Sequence, residues 1–300
     1  MAHWTADDIP DLSGRTAVVT GGNSGIGYHT AEQLARHGAR VVVATRSEAK
    51  GRAAAEKVGG EWAPLDLADL ASVRAFAEGF TGPLDLLVNN AGVMMIPRQL
   101  TADGFEMQLG TNHLGHFALT GLLLPALLAS NNRPRVVTVS SGEHHKGSID
   151  FDDLMSERSY GQMRAYQNSK LANLLFTFEL QRRVDAAGVE LLSVAAHPGF
   201  ANTNLGHNAT GAWRWGVRIG QVFFAQPAER GALPTLYAAT AADVQGGEYF
   251  GPDGRGEQRG YPTRVGASAA ARDEAAAQRL WAVSEELTGV RYAELPLLDR

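Results

Sequence analysis

Thr20-Gly21-Gly22-Asn23-Ser24-Gly25-Ile26-Gly27 lies between an apolar strand pattern, residues 16–20, and an apolar helical pattern, residues 26–38. Glycines in such a turn let the chain reverse tightly and bring backbone N–H groups close to a pyrophosphate. The N-terminus of the following helix adds a partial positive charge. A glycine cluster alone is a weak signal, but the strand before it and the helix after it are the expected context of a dinucleotide-binding turn. We therefore predict dinucleotide binding here, with a purely structural turn as the alternative.

Short β-branched runs alternate with longer helical patterns along the rest of the chain. Strands are predicted at residues 16–20, 40–45, 84–88, 135–140 and 189–195, and helices at 26–38, 48–58, 69–79, 101–130 and 160–187. Runs such as Val41-Val42-Val43 are typical of strands buried on both faces. Alternating strands and helices predict βαβ units. The predicted fold is a doubly wound, three-layer α/β sandwich with a mostly parallel sheet of about seven strands.

Composition excludes several classes of protein. The 300 residues include no Cys, are 44% hydrophobic and carry a net charge of −5, so disulfides, Cys nucleophiles and a basic nucleic-acid surface are not expected. The most apolar stretch, residues 114–128, contains His116 and Pro125 and is shorter than the roughly 20 residues of a membrane span. The first twelve residues lack a basic segment followed by an apolar run. We expect a cytoplasmic protein with no nucleic-acid partner.

No shift in composition marks a linker, so residues 1–300 are predicted to form a single domain with its core at about 14–250. Residues 200–226 interrupt this alternation and contain Trp213, Trp215, Phe223 and Phe224 among glycines. They are predicted to form a lid over the substrate, and an ordinary pair of surface helices is the alternative. Residues 251–263 are Gly- and Pro-rich and predict a loop, which a last helix at 273–287 follows.

The end of the second predicted strand indicates which dinucleotide binds. An NAD site usually has Asp or Glu there to accept from the ribose 2′-hydroxyl. This chain has Arg46, with Lys50 one turn further on. A guanidinium binds a 2′-phosphate through two charge-assisted hydrogen bonds, whereas a carboxylate repels it. Arg46 therefore favours NADP(H) over NAD(H), unless it is merely a solvated surface arginine.

Polar side chains gather where catalysis is expected. Tyr166 and Lys170 are four residues apart and share one face of the helix at 160–187. The pair Ser140-Ser141 ends one predicted strand, and Asn89-Asn90-Ala91-Gly92 ends another, at the sheet edge where parallel sheets bind ligands. Asn112 lies within the helix predicted at 101–130, although Asn is a poor residue for a helix interior.

Together these motifs resemble those of the short-chain dehydrogenase/reductase family, in its retinol-dehydrogenase-like and WW-domain-oxidoreductase-like branch. The resemblance covers about residues 14–250, and residues 149–160 are similar to an insertion of the retinol-dehydrogenase-like group. The matching stretches are residues 14–27, 44–47, 89–92, 111–120, 136–145, 165–175 and 197–203. The resemblance implies a Rossmann-type fold and an oxidoreductase acting on CH–OH or C=O groups.

Carried over residue by residue, the resemblance implies a catalytic tetrad of Asn112, Ser141, Tyr166 and Lys170. Ser141 is preferred to Ser140 because the family's serine is second in such a pair. Tyr166 is implied as general acid in reduction and general base in oxidation. Bringing its pKa from 10 to near 7 requires about 4 kcal/mol. An ammonium about 4 Å away supplies roughly that at an effective dielectric of 20.

The resemblance implies roles for the other groups as well. Lys170 holds the nicotinamide ribose, Ser141 binds the substrate oxygen, and Asn112 holds a water that passes protons to Lys170. Asp66, implied at the adenine, has an alternative as the N-cap of the helix at 69–79. The complete set of predicted cofactor contacts is Gly21, Asn23, Ser24, Gly25, Ile26, Gly27, Arg46, Asp66, Leu67, Asn90, Ala91, Gly92, Tyr166, Lys170, Pro198, Gly199 and Thr203.

Other motifs do not support a different chemistry. The histidines lack the His-x-x-x-His spacing of zinc ligands, so no metal is expected. Ser24 lacks the Gly-x-Ser-x-Gly spacing of a hydrolase nucleophile. The Trp213-Arg214-Trp215 segment fits a membrane surface. We prefer to interpret it as an apolar cover for the substrate pocket.

The predicted function is NADP(H)-dependent hydride transfer between nicotinamide and an apolar carbonyl or alcohol, such as a retinoid, a steroid or a hydrophobic ketone. Met94-Met95 and the aromatic residues of 200–226 favour an apolar substrate. The alternative is a non-catalytic dinucleotide-sensing or scaffold protein on the same fold, which would be expected to lose Tyr, Lys or Ser from the site. In many family members the helices corresponding to 101–130 and 160–187 pack subunits together, which implies a homodimer.

Overall fold

An eight-stranded sheet forms the centre of the computed structural model, which describes residues 3–200 and 226–295. Its strand order is β3-β2-β1-β4-β5-β6-β7-β8, and every neighbouring pair is parallel except β7 with β8. The strands are β1 (Thr16–Thr20), β2 (Arg40–Thr45), β3 (Glu61–Pro64), β4 (Leu86–Asn89), β5 (Arg135–Val139), β6 (Leu192–Ala196), β7 (Tyr249–Pro252) and β8 (Pro262–Arg264).

Helices cover both faces of this sheet. They are α1 (Gly25–Arg36), α2 (Glu48–Val58), α3 (Leu70–Gly79), the single turn α4 (Met107–Leu109), α5 (Gly115–Leu128), α6 (Gln162–Ala187), α7 (Ala228–Thr240) and α8 (Glu274–Thr288). α1, α2 and α7 bury their apolar faces on one side of the sheet, and α3, α5, α6 and α8 on the other. The central strands are apolar on both sides because helices cover both faces. The doubly wound α/β prediction is confirmed.

The structure differs from the sequence prediction at several elements. The sheet has eight strands instead of about seven, because residues 249–252 and 262–264 pair as an antiparallel hairpin where a loop is predicted. The strand at 61–64 and the helix at 228–240 were not predicted. The single helix predicted at 101–130 is wrong, since the helix begins at Met107 and a π-helical segment, residues 110–114, precedes α5.

The reversal in strand order positions the ligand site. β1 lies between β2 and β4, so the chain leaves β1 and β4 toward helices on opposite faces of the sheet. A crevice forms at such a reversal, beyond the carboxyl ends of the strands. The glycine turn follows β1, and Asn89-Asn90-Ala91-Gly92 begins at the end of β4. Two predicted motifs therefore meet at one crevice.

Helix α8 packs across the outer side of α5 and α6. Its buried Trp281 contacts Phe117 of α5 and Phe176 of α6, with ring centroids 5.1 and 5.9 Å away. Arg183 of α6 lies over the Trp281 ring, and Glu179 beneath it is fully buried and paired with that arginine. The face that the resemblance implies for subunit packing is therefore covered by the chain's own C-terminal helix. Within the described ranges, no helix is both long enough and apolar enough to cross a membrane.

Candidate active site

The glycine turn after β1 has a backbone that requires glycine. Gly21 and Gly25 have left-handed φ values of +66° and +56°. A Cβ on Gly27 would lie 2.4 Å from the Asn90 side-chain nitrogen and 2.6 Å from the Gly21 carbonyl oxygen. Ser24 is the N-cap of α1, but its side chain makes no capping hydrogen bond. The first-turn N–H groups of α1 therefore lack the side-chain cap that would satisfy them, as an anion-binding helix start requires.

Thr20 joins the two turns at the crevice. Its hydroxyl oxygen accepts hydrogen bonds from the N–H groups of Asn90 and Ala91, each at 2.9 Å, and lies 2.9 Å from Nε2 of His116. Nδ1 of His116 lies 3.0 Å from the carbonyl oxygen of Asn112. The sequence prediction gave no role to Thr20 or His116. The one available signal was a polar histidine inside the most apolar stretch of the chain.

The adenine end of the predicted site lies beyond β2 and β3. Arg46 directly follows β2, is exposed, and has no hydrogen-bond or ion-pair partner among residues 3–200 and 226–295. Asp66 is half-buried and accepts a hydrogen bond from the N–H of Ala68, while Leu67 is buried. The alternative of Asp66 as a helix cap is wrong, because Asp69 caps α3 through the N–H groups of its second and third residues.

Asn112 lies in the π-helical segment and is fully buried. Its Oδ1 accepts from the N–H of Val93 at 2.8 Å. Its Nδ2 donates to the Val93 carbonyl and to the Ser169 hydroxyl, each at 2.9 Å. Both amide hydrogens are thus used to join the loop after β4 to α6. Nδ2 therefore has no hydrogen left for the predicted water, which another atom of Asn112 would have to bind.

The two serines that follow β5 have different partners. Ser140 is buried and donates to the Lys170 carbonyl oxygen at 2.8 Å, so it holds α6 against the sheet. Ser141 is partly exposed, accepts from the N–H of Glu143, and lies near enough to Tyr166 to lower the pKa of that phenol. The preference for Ser141 as the residue facing Tyr166 agrees with this geometry.

Tyr166 and Lys170 are both buried on α6, with 7% and 5% of their surfaces exposed. Burial raises the pKa of Tyr166 to about 12, despite the opposing hydrogen bond with Ser141. Burial lowers the pKa of Lys170 to about 8. Lys170 Nζ lies 5.7 Å from the Tyr166 ring centroid and donates to the Val139 carbonyl at 3.0 Å. The expectation that Lys170 alone brings the phenol pKa near 7 is therefore wrong for the protein by itself.

The turn after β6 closes the far end of the site. Pro198 and Gly199 are half-buried, and Gly199 has a φ of +65°. His197 before them is buried and bonds both Gly199 and Glu257. Thr203 and almost all of the predicted lid, residues 201–225, lie outside the described residues. The ends of that segment meet, since the N–H of Gln226 donates to the Phe200 carbonyl at 2.8 Å.

Comparison with known proteins agrees with this arrangement. The family model for short chain dehydrogenase matches residues 15–212. Human retinol dehydrogenase 12 is 44% identical over 296 residues, which cover 94% of this chain and 88% of that protein. A solved structure of an uncharacterised protein from Mycobacterium paratuberculosis is 47% identical with a TM-score of 0.83, covering 99% of this chain and all of that one.

A second solved structure bears on the cofactor. The Pseudomonas aeruginosa RhlG/NADP active-site complex is 25% identical with a TM-score of 0.63, over 80% of this chain and 94% of that chain. The crevice, the glycine turn and the polar groups beside it thus occur in a chain whose relatives include a dehydrogenase and an NADP complex. The chain belongs to the short-chain dehydrogenase/reductase family and is retinol-dehydrogenase-like.

Proposed function

We propose that this protein is an NADP(H)-dependent oxidoreductase that transfers a hydride between nicotinamide and an apolar carbonyl or alcohol. One observation carries the proposal: a buried Tyr166–Lys170 pair lies beside Ser141, at the sheet edge that also bears the glycine turn. A scaffold protein would have no need to bury an ammonium, because burial of a charge is costly unless the charge is used.

The residues present fit a dinucleotide. Gly27 leaves a close approach that a Cβ would fill, and the N-terminal amides of α1 have no side-chain cap. The only hydrogen bond of Lys170 Nζ within the described ranges goes to Val139, so two of its N–H groups remain for ribose hydroxyls. These donors match the anionic and hydroxyl groups of a nicotinamide dinucleotide, whose bound reduced form would supply the hydride.

The protein's own residues handle the proton. With its pKa raised to about 12, Tyr166 is protonated at neutral pH and can donate to the oxyanion of a reduced carbonyl. Ser141 would hydrogen-bond the same oxygen and orient it. Lys170, with a pKa of about 8, is mostly charged at pH 7. Its Nζ lies 5.7 Å from the centroid of the Tyr166 ring, where a positive charge favours the tyrosinate form.

Arg46 supports NADP(H) over NAD(H). Its guanidinium is exposed and unpaired among the described residues, and Lys50 is exposed one turn further along. A 2′-phosphate there would gain a bidentate charge-assisted pair, whereas a plain 2′-hydroxyl would not.

An apolar substrate is supported by the loop after Asn89-Asn90-Ala91-Gly92. Met95 is 5% exposed with a φ of +54°, and its N–H donates to Oε1 of the buried Gln108. Gln108 also binds Tyr160 of the insertion at 149–160. This network fixes the loop that bears Met94 and Met95 beside the crevice. Similarity to retinol dehydrogenase 12 supports the same class of substrate, an apolar alcohol or its carbonyl.

The homodimer remains a prediction, and the packing of α8 restricts its form. Trp281 and its neighbours already bury the outer face of α5 and α6. A second subunit could use that face only by displacing α8 and exposing these rings, at about 25 cal/mol per Å² of apolar surface. We therefore propose that any dimer uses a different surface.

Tyr166→Phe tests the function directly. We expect kcat for NADPH-dependent reduction of apolar aldehydes and ketones to fall at least about 100-fold, because the proton donor is lost. The affinity for NADPH, measured by calorimetry, should stay within about twofold. Tyr237→Phe is the matched control, since that hydroxyl donates to Asp243 on the exposed side of α7. Near-full turnover by Tyr166→Phe would refute the mechanism, and NADPH binding without turnover by the wild type would favour the sensor alternative.

A further inference from the structure

The turn after β6 is bonded to the loop between β7 and β8. The N–H of Phe200 donates to the Gln258 carbonyl at 2.7 Å. Gln226 adds two more links, because its Nε2 donates to the Pro198 carbonyl at 2.8 Å and its Oε1 accepts from the N–H of Gly260 at 3.3 Å. The position of residues 198–200 is thus set by a hairpin that lies about 60 residues later in the chain.

A contact between His197 and Glu257 also joins the turn after β6 to the loop between β7 and β8. Nε2 of His197 lies 3.0 Å from a carboxylate oxygen of Glu257, and its Nδ1 accepts from the N–H of Gly199 at 3.2 Å. One tautomer, with the proton on Nε2, satisfies both contacts. The histidine side chain is 2% exposed and the carboxylate 38%. A Cβ on Gly251 would lie 2.0 Å from Nε2, so the imidazole is also held sterically against β7.

Glu257 adopts a backbone conformation that is rare in residues other than glycine. Its φ is +55°, and the loop around it is closed by two hydrogen bonds, Gly254 N–H to the Arg259 carbonyl and Asp253 N–H to the Tyr261 carbonyl. Left-handed conformations of non-glycine residues persist where surrounding contacts require them, and they cluster at functional sites. Here the conformation directs the carboxylate to His197.

We infer that Glu257 and His197 are positioning residues that hold the turn Pro198–Phe200 in place for the nicotinamide half of the dinucleotide. The inference rests on the proposed function, with the 2′-phosphate at Arg46 and the nicotinamide at Pro198 and Gly199, two of the cofactor contacts that the family resemblance implies. Four strand spacings separate β2 from β6 in the sheet, about 19 Å at about 4.8 Å each. A disturbance at Glu257 should therefore affect one half of the ligand and spare the other.

Two variants of Glu257 distinguish the effect of the carboxylate from the effect of the backbone strain. Glu257→Gly removes the carboxylate and accepts a positive φ without cost, so it should fold. Glu257→Gln keeps an oxygen that can accept from Nε2 of His197. Arg133→Gly is the matched control, because Arg133 has a φ of +50° in an exposed loop before β5, at the opposite edge of the sheet. Thermal unfolding verifies that each variant is folded.

The readout is the affinity for two ligands, NADPH and 2′,5′-ADP, by calorimetry. Glu257→Gly should weaken the binding of NADPH about tenfold, as expected for loss of a hydrogen bond to a charged group. Its affinity for 2′,5′-ADP should stay within about twofold of the wild-type value. Glu257→Gln should recover most of the NADPH affinity, and Arg133→Gly should change neither. An unchanged NADPH affinity in Glu257→Gly, or an equal loss for both ligands, would overturn the inference while the proposed function stands. A wild-type protein that binds neither ligand would overturn both.

Discussion

Replacing Lys170 with Met should abolish activity and yet stabilise the fold. The pKa of Lys170 is lowered from 10.5 to about 8 because the ammonium is buried. At 1.36 kcal/mol per pKa unit, this difference is a penalty of about 3 kcal/mol on the folded state at pH 7. Methionine has a similar length and no charge to desolvate. The Val139 carbonyl would keep its bond from Asn173 at 3.1 Å, so no buried acceptor is left unpaired.

The pH dependence of the effect follows from the direction of the shift. Below about pH 8 Lys170 is charged in both states, and the folded protein bears the whole penalty. Between pH 8 and 10.5 the unfolded state binds more protons, so the free energy of unfolding of the wild type rises with pH. Tyr166 does not interfere, since its raised pKa affects stability only above pH 10. The advantage of Lys170→Met should therefore be largest at pH 7 and vanish near pH 10.5.

Urea unfolding of the wild type and Lys170→Met at pH 7, 8, 9 and 10 measures this difference. A stabilisation of about 3 kcal/mol corresponds to about 5 °C in Tm for a chain of 300 residues. Lys57→Met, at an exposed position on α2, is the control and should show no such trend. The reasoning is refuted if Lys170→Met is less stable than the wild type at pH 7, or if the difference is the same at pH 7 and pH 10.

Three further outcomes are expected. In calorimetric titrations, Arg46→Ala should lower the affinity for NADPH at least about tenfold and leave the affinity for NADH unchanged. An equal loss of affinity for both nucleotides would argue against a 2′-phosphate contact. Burial lowers the pKa of His113 to about 3 and of His116 and His144 to about 4, so stability should fall steeply as pH drops below 6.5. Between pH 6.5 and 4 each of these histidines lowers the free energy of unfolding by about 3 kcal/mol, and a flat urea midpoint over that range would contradict this. Light scattering after gel filtration should give the mass of one chain, or the mass of a dimer that persists in Trp281→Phe. A dimer that is present in the wild type and lost in that variant would indicate a subunit interface at α8.

The sequence by itself was sufficient where the physics is local. A left-handed φ favours glycine, so the glycine turn could be recognised from residues 20–27 together with the strand and helix patterns beside them. Helical periodicity places Tyr166 and Lys170 on one face whatever surrounds them. Runs of β-branched residues between helical patterns predict a parallel sheet because both faces must be covered. The family resemblance then extended these local signals to Ser141 and Asn112.

Tertiary structure decided everything that depends on distant neighbours. The direction of the Tyr166 pKa shift follows from burial by elements that are remote in sequence, and burial outweighs the neighbouring charge that the spacing suggested. The His197–Glu257 contact joins residues 60 apart, and the cover of α5 and α6 by Trp281 joins residues more than 100 apart. Desolvation and long-range packing act through space, whereas sequence patterns record only what lies within a few residues along the chain.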